Sequence, residues 1–190
     1  MATGAWCIIS NPLVLAMDLR DAQMLDSVWS IITNREAVAI NQAWHGDSGR
    51  LVAQSTTSVS LPNCGSGAPC SVPRWMVWSK ALPPLPNATA AHSSRAAIFL
   101  LNNDNVPTTV ATSLAAVRGL GACGSAGCAV RSVWEKRDLP ATHGDGELSA
   151  LLVTAPNSSL IRGCCWCALV LTARSCGVCC RNRMTPRCLW

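Results

Sequence analysis

The segment Leu13-Val14-Leu15-Ala16-Met17 is apolar at every position and stops at Asp18-Leu19-Arg20, and this run most limits the folds open to the chain. A strand with one face in water alternates polar and apolar residues. A run that is apolar throughout needs cover on both faces, as in a parallel sheet flanked by helices. A helical pattern follows at once. Asp21 is placed to cap it, and Met24, Leu25, Val28, Trp29 and Ile32 recur at spacings of three and four, which predicts a helix over 22–32 with one apolar face. Upstream, residues 6–10 read as the end of another helix, broken by Pro12. A buried strand handing over to a helix is one unit of an α/β barrel, and the apolar helix face calls for a barrel to pack on.

After His45-Gly46-Asp47-Ser48-Gly49 the pattern changes to short β-runs separated by loops rich in Gly, Pro, Ser and Asn. Strands are predicted over 50–55, 74–80, 96–101, 108–114, 129–135, 147–153 and 158–162, a spacing that favours an antiparallel β-sandwich. Trp75 and Val77 face one way and Met76 and Trp78 the other, so the second of these strands is expected to be covered on both sides. At least two of Trp75, Trp78 and Trp134 are expected to be buried, because a sugar-binding sandwich would instead present a flat aromatic platform.

The stretch from Asn11-Pro12-Leu13 through Asp18-Leu19-Arg20, followed by Ala39-Ile40-Asn41-Gln42, resembles the end of the catalytic domain of the alpha-galactosidases (melibiases) of glycoside hydrolase family 27. Trp75 with Trp78, Ala97 to Asn102, Val133-Trp134-Glu135 and Leu148-Ser149-Ala150 look, more loosely, like the antiparallel sandwich that follows the barrel in those enzymes. The resemblance implies residues 1–49 as the terminal helix-strand-helix of a truncated (β/α)8 barrel and 50–163 as the sandwich; it stops at Gly163, which leaves 164–190 as a Cys/Arg-rich, irregular tail. It implies a retaining mechanism, in which two carboxylates about 5–5.5 Å apart flank the scissile bond. Both lie on earlier barrel strands in the family, so no catalytic and no substrate-binding residue carries over, and Met1 reads as an internal start. The reading is a fragment of an alpha-galactosidase-like hydrolase, with an alpha-galactoside as the complete parent's substrate, no cofactor, and no activity in this chain alone. The alternative is a non-catalytic carbohydrate-binding or structural module. Asp18 follows the strand end where barrel enzymes place their chemistry, but a brace with Arg20 is the expected role. An uncovered barrel-facing surface is expected to cause self-association.

Charge argues against a nucleic-acid partner: residues 1–160 hold ten Lys or Arg and ten Asp or Glu, and the excess of +5 comes from the five arginines after residue 160. No apolar run is long enough to span a bilayer, so no membrane partner is expected, and the first residues lack the charge pattern of a signal peptide. Cys64 and Cys70 bracket one glycine-bearing loop and Cys123 and Cys128 another, and each pair is expected to form a local disulfide. Asn87 and Asn157 head glycosylation sequons. Together these point to a parent that is secreted or lysosomal/vacuolar.

Three further patterns have plainer readings. Gly46-Asp47-Ser48-Gly49 is similar to a serine-protease nucleophile loop but continues into Arg50, and a loop between barrel and sandwich accounts for it. Asp145 and Glu147 are the other close acidic pair, at a turn and a strand start. In the tail, Cys164 with Cys167 and Cys176 with Cys179 could offer four thiolates to zinc, but the spacing is short and further cysteines crowd it, so no metal site is assigned. With no acidic residue and no clean period, 164–190 reads as sequence not shaped by a fold, such as a frame change or retained intron.

Overall fold

The computed structural model describes residues 3–62, 68–84, 94–117, 119–120, 128–142, 147–152 and 165–173. Three helices come first: α1 (Thr3–Ile9), α2 (Ala22–Ile32) and α3 (Arg35–Gln42). Strands follow: β1 (Arg50–Gln54), β2 (Ser58–Leu61), β3 (Cys70–Pro73), β4 (Trp75–Leu82), β5 (Arg95–Asn102), β6 (Thr108–Ser113), β7 (Cys128–Ser132), β8 (Arg137–Thr142), β9 (Glu147–Leu152) and β10 (Cys165–Ala173). A six-stranded sheet runs in the order β1-β4-β5-β10-β7-β8, every pairing antiparallel, with β2-β3 and β6-β9 as two-stranded sheets.

Both faces of the central sheet are covered, which is why β4 and β5 are apolar almost throughout. One face carries Val77, Ala96, Ile98, Leu100 and Val130 against Val110 of β6 and Leu114 and Val117 beyond it, with Trp75 at the margin. The other carries Leu82, Ala97 and Phe99 against Cys7 and Ile8 of α1 and Ala37 and Ile40 of α3, with Trp78 and Trp134 packed alongside. α1 and α3 therefore use the sheet as their base, and the expected boundary at residue 49 runs through a shared core. Burying side chains of this size stabilises by about 1.5–3 kcal/mol each.

Several expectations are corrected. Leu13 to Met17 forms no strand, and Leu13, Val14 and Leu15 are exposed. A parallel strand satisfies its backbone only through a neighbour, and no described strand pairs with it. The tail is not irregular throughout: β10 lies between β5 and β7 in continuous register, from Cys165↔Asn102 to Thr172↔Arg95 on one side and Leu169↔Ser132 to Ala173↔Cys128 on the other. β2, β3 and β8 were not anticipated. None of Trp75, Trp78 and Trp134 is fully buried; each is half-buried against a core cluster. The expected strand at 158–162 lies outside the described residues.

Candidate functional site

Residues 11–33 are anchored at both ends and largely exposed between them. α1 ends where Ser10 adopts a left-handed φ of 58°. Asn41 Nδ2 then donates to the carbonyls of Trp6 (3.1 Å) and Asn11 (2.8 Å), tying α3 to the exit of α1. The chain then runs without helix or strand, and largely exposed, to Asp18. There Arg20 donates Nε to Oδ1 (3.0 Å), Nη2 to Oδ2 (2.9 Å) and its backbone N–H to Oδ1 (2.9 Å), the expected brace. Side-chain and then backbone hydrogen bonds from Arg20 hold the Asp18 carboxyl below its ordinary range. Asp21 caps α2 by accepting from Met24 N–H at 3.0 Å, yet α2 buries none of its residues.

At the far end, buried Asn34 caps α3, its Oδ1 accepting from Glu36 N–H (3.1 Å) and Ala37 N–H (3.2 Å), while its Nδ2 donates to Val133 O at 3.0 Å. Beside it Arg131 grips both oxygens of Glu36 at 2.9 and 2.7 Å and reaches Asp138 at 3.1 Å. Those bonds, Glu36 foremost, raise its already high pKa further. Lys80, only 1% exposed, projects from β4 to the C-terminus of α3. Its Nζ donates to the carbonyls of Ile40 and Asn41 and to Ser10 Oγ (2.7 Å). These carbonyls lack partners within the helix, so the ammonium completes the helix end and complements its dipole. Burial lowers the Lys80 pKa, and burial pushes the Cys7 thiol up to about 11.

Chemically, six of the described carboxylates are committed to arginines. Asp18 pairs with Arg20, Asp47 with Arg50, Asp104 with Arg74, Glu36 and Asp138 with Arg131, and Glu135 with Arg137. A carboxylate gripped by one guanidinium is a poor proton donor and a poor nucleophile. Asp145 lies outside the described residues, and Glu147 opens β9 opposite Ser113. The Gly46–Gly49 loop is a connector: Gly49 N–H donates to Ile8 O at 2.9 Å, Asp47 holds Arg50, and His45 and Ser48 face solvent. Among the described residues no three metal-ligating side chains gather, and no helix is long and apolar enough to cross a membrane. Cys70 and Cys128 are disulfide-bonded. Cys64 and Cys123, the partners expected for them, lie outside the described residues, as do Cys164, Cys176, Cys179, Asn87 and Asn157. Sequence reasoning missed Lys80, Asn34 and Arg131. A lone lysine inside the apolar run of β4 was the one signal available.

No family model matches the sequence, and no curated protein does. Among solved structures, alpha-galactosidase I from Mortierella vinacea is similar with a TM-score of 0.62 and 15% identity, over 92% of this chain and 35% of that one. The family 27 β-L-arabinopyranosidase from Geobacillus stearothermophilus is similar at 0.59 and 18% identity, over 94% and 30%. The alpha-galactosidase from Saccharomyces cerevisiae is similar at 0.56 and 13% identity, over 88% and 42%. The chain thus has the fold of part of these glycoside hydrolases, and spans 30–42% of the length of these three.

Proposed function

We propose that this chain serves as the accessory, sheet-bearing part of an alpha-galactosidase-like retaining glycoside hydrolase and takes no part in bond cleavage itself. The observation that carries this reading is the pairing of Asp18: the acid nearest the barrel-like strand position is locked to Arg20 by three hydrogen bonds. Retaining hydrolysis needs one carboxylate free to attack and a second able to give and take a proton. On this reading the complete enzyme acts on terminal alpha-galactosyl groups and travels a secretory, lysosomal or vacuolar route, which the disulfides at Cys70 and Cys128 support. The alternative, a carbohydrate-binding module, draws less support, because Trp75, Trp78 and Trp134 are engaged in packing.

The test is release of nitrophenol from p-nitrophenyl alpha-galactoside by the purified chain. No turnover above the buffer rate is expected. Turnover that disappears in Asp18→Asn overturns the proposal, and calorimetric binding of methyl alpha-galactoside without turnover establishes the alternative.

A further inference from the structure

β10 lies inside the six-stranded sheet, although it is the last of the described strands in sequence. It pairs with β5 from Cys165↔Asn102 to Thr172↔Arg95 and with β7 from Leu169↔Ser132 to Ala173↔Cys128. β9, the strand before it, pairs with β6 in a separate sheet, so no hairpin with its sequence neighbour sets its place. Taking β10 away would divide the sheet into β1-β4-β5 and β7-β8, with an open edge on β5 and another on β7.

The two halves are nevertheless tied together by side chains that do not belong to β10. On one face, Cys128 and Val130 of β7 join Val77, Ile98 and Leu100 in a single cluster with Val110, Leu114 and Val117. On the other, Ala37 and Ile40 of α3 pack with Ala97 and Phe99 of β5. α3 is also fastened to the β7 side, by Arg131 on Glu36 and by Asn34 Nδ2 on Val133 O. Both covering layers therefore span the gap between β5 and β7. With neighbouring strands about 4.8 Å apart, that gap is roughly 10 Å from strand to strand, the room one strand needs.

We infer that the gap between β5 and β7 is a strand-receiving slot framed by these two layers, and that residues 165–173 are its donor strand, able to enter from a separate molecule as well as from their own chain. A slot with an unpaired edge on each side offers an incoming strand hydrogen bonds along both of its sides, where an outer edge offers them along one. The ligand class is an extended, mainly apolar peptide without proline, because a strand paired on both edges needs its N–H groups throughout. Cys165-Trp166-Cys167-Ala168-Leu169-Val170-Leu171-Thr172-Ala173 meets that description. The inference uses only pairings and contacts within the described residues and stands independently of the glycosidase reading.

The test is native-state amide hydrogen exchange on the full chain carrying Val170→Pro. Val170 pairs with Ala97 on one side and Arg131 on the other, so proline removes a ladder hydrogen bond whichever edge its N–H serves. The alternate β5 amides that face the slot are expected to exchange at least a hundredfold faster than in the parent, while the α3 amides stay within tenfold. A synthetic peptide of residues 165–174 carrying Cys165→Ser and Cys167→Ser is expected to restore β5 protection, and the same peptide with Val170→Pro is expected to leave it lost. Parent-like β5 protection in the variant overturns the inference, because β10 would then not fill the slot. Loss of α3 protection along with that of β5 overturns it as well, because the frame would not stand without its strand. So does a peptide that restores nothing, or restoration by both peptides alike.

Discussion

Replacing Lys80 by Met tests whether a buried cation is the tie that fastens the helices to the sheet. Lys80 is 1% exposed and its Nζ has three acceptors: Ile40 O, Asn41 O and Ser10 Oγ. Charge-assisted hydrogen bonds contribute about 1.5–3 kcal/mol each, so the three together are worth roughly 6 kcal/mol. Against this stands the desolvation of the ammonium, an effective penalty of several kcal/mol, on the order of 4 here. The depressed Lys80 pKa is the signature of that penalty. Methionine restores the penalty and fills the volume, but it leaves two helix-end carbonyls without a donor. The expected net loss is about 2 kcal/mol. With a urea slope of about 2 kcal/mol/M, the unfolding midpoint falls by about 1 M. A variant as stable as the parent, or more stable, refutes the reasoning, because the cation would then be a net liability. The pH dependence provides a second reading. A lysine whose folded pKa lies below 10.5 binds its proton more readily when unfolded, so its contribution to stability rises with pH through that window. Cys7 acts oppositely: with its pKa raised from 9.0 to about 11, its contribution is complete below 9.0 and is lost as pH rises towards 11. In the parent the two offset each other. Lys80→Met removes the rising contribution and the nearby charge that lowers the Cys7 pKa, so its alkaline loss of stability is expected to be steeper.

Two further outcomes are expected from the same core. A Cβ at Gly49 would meet the Ile8 side chain and lie 2.7 Å from Ile8 O, so Gly49→Ala should cost about 3 kcal/mol in urea unfolding. Gly46, with a φ of +90° and open space around it, should lose only about 1 kcal/mol on the same change; equal losses would mean that the loop is not pressed onto α1. Cys7, buried and protonated, should take up iodoacetamide at pH 8 at least a hundredfold more slowly than in urea, measured by peptide mass spectrometry.

Elements whose signals are local were legible. The Asp21 cap and the three-and-four spacing placed α2 at its observed limits, and β1, β4, β5, β6 and β9 begin and end within two residues of expectation. β10 was missed although Ala168-Leu169-Val170-Leu171 has strand composition. Neighbouring cysteines suggested a metal motif or no fold at all, and a strand's place at the centre of a sheet depends on partners about 70 and 40 residues away in sequence. The partners of Lys80 were unreadable for the same reason: its acceptors lie at residues 10, 40 and 41, and nothing in β4 names them. The opposite error occurred at the tryptophans. Alternation placed Trp75 and Trp78 on opposite faces correctly, but alternation cannot say how far a covering layer extends, and both ended half-buried at its margin.

α2 and the segment before it differ in what each requires to form. A helix closes its hydrogen bonds within itself and needs only a cap to start, so α2 forms without burying a residue. A strand does not, and Leu13–Met17 keeps the composition of a buried strand while pairing with no described element. The stretch is held at its ends instead, by Asn41 gripping Asn11 O and by Asn34 bridging to Val133 O. Such an arm opens at little cost, because few apolar contacts are lost when it moves. The stable unit is therefore α1 and α3 on the sheet, and residues 12–33 are the part whose structure depends on whatever covers them.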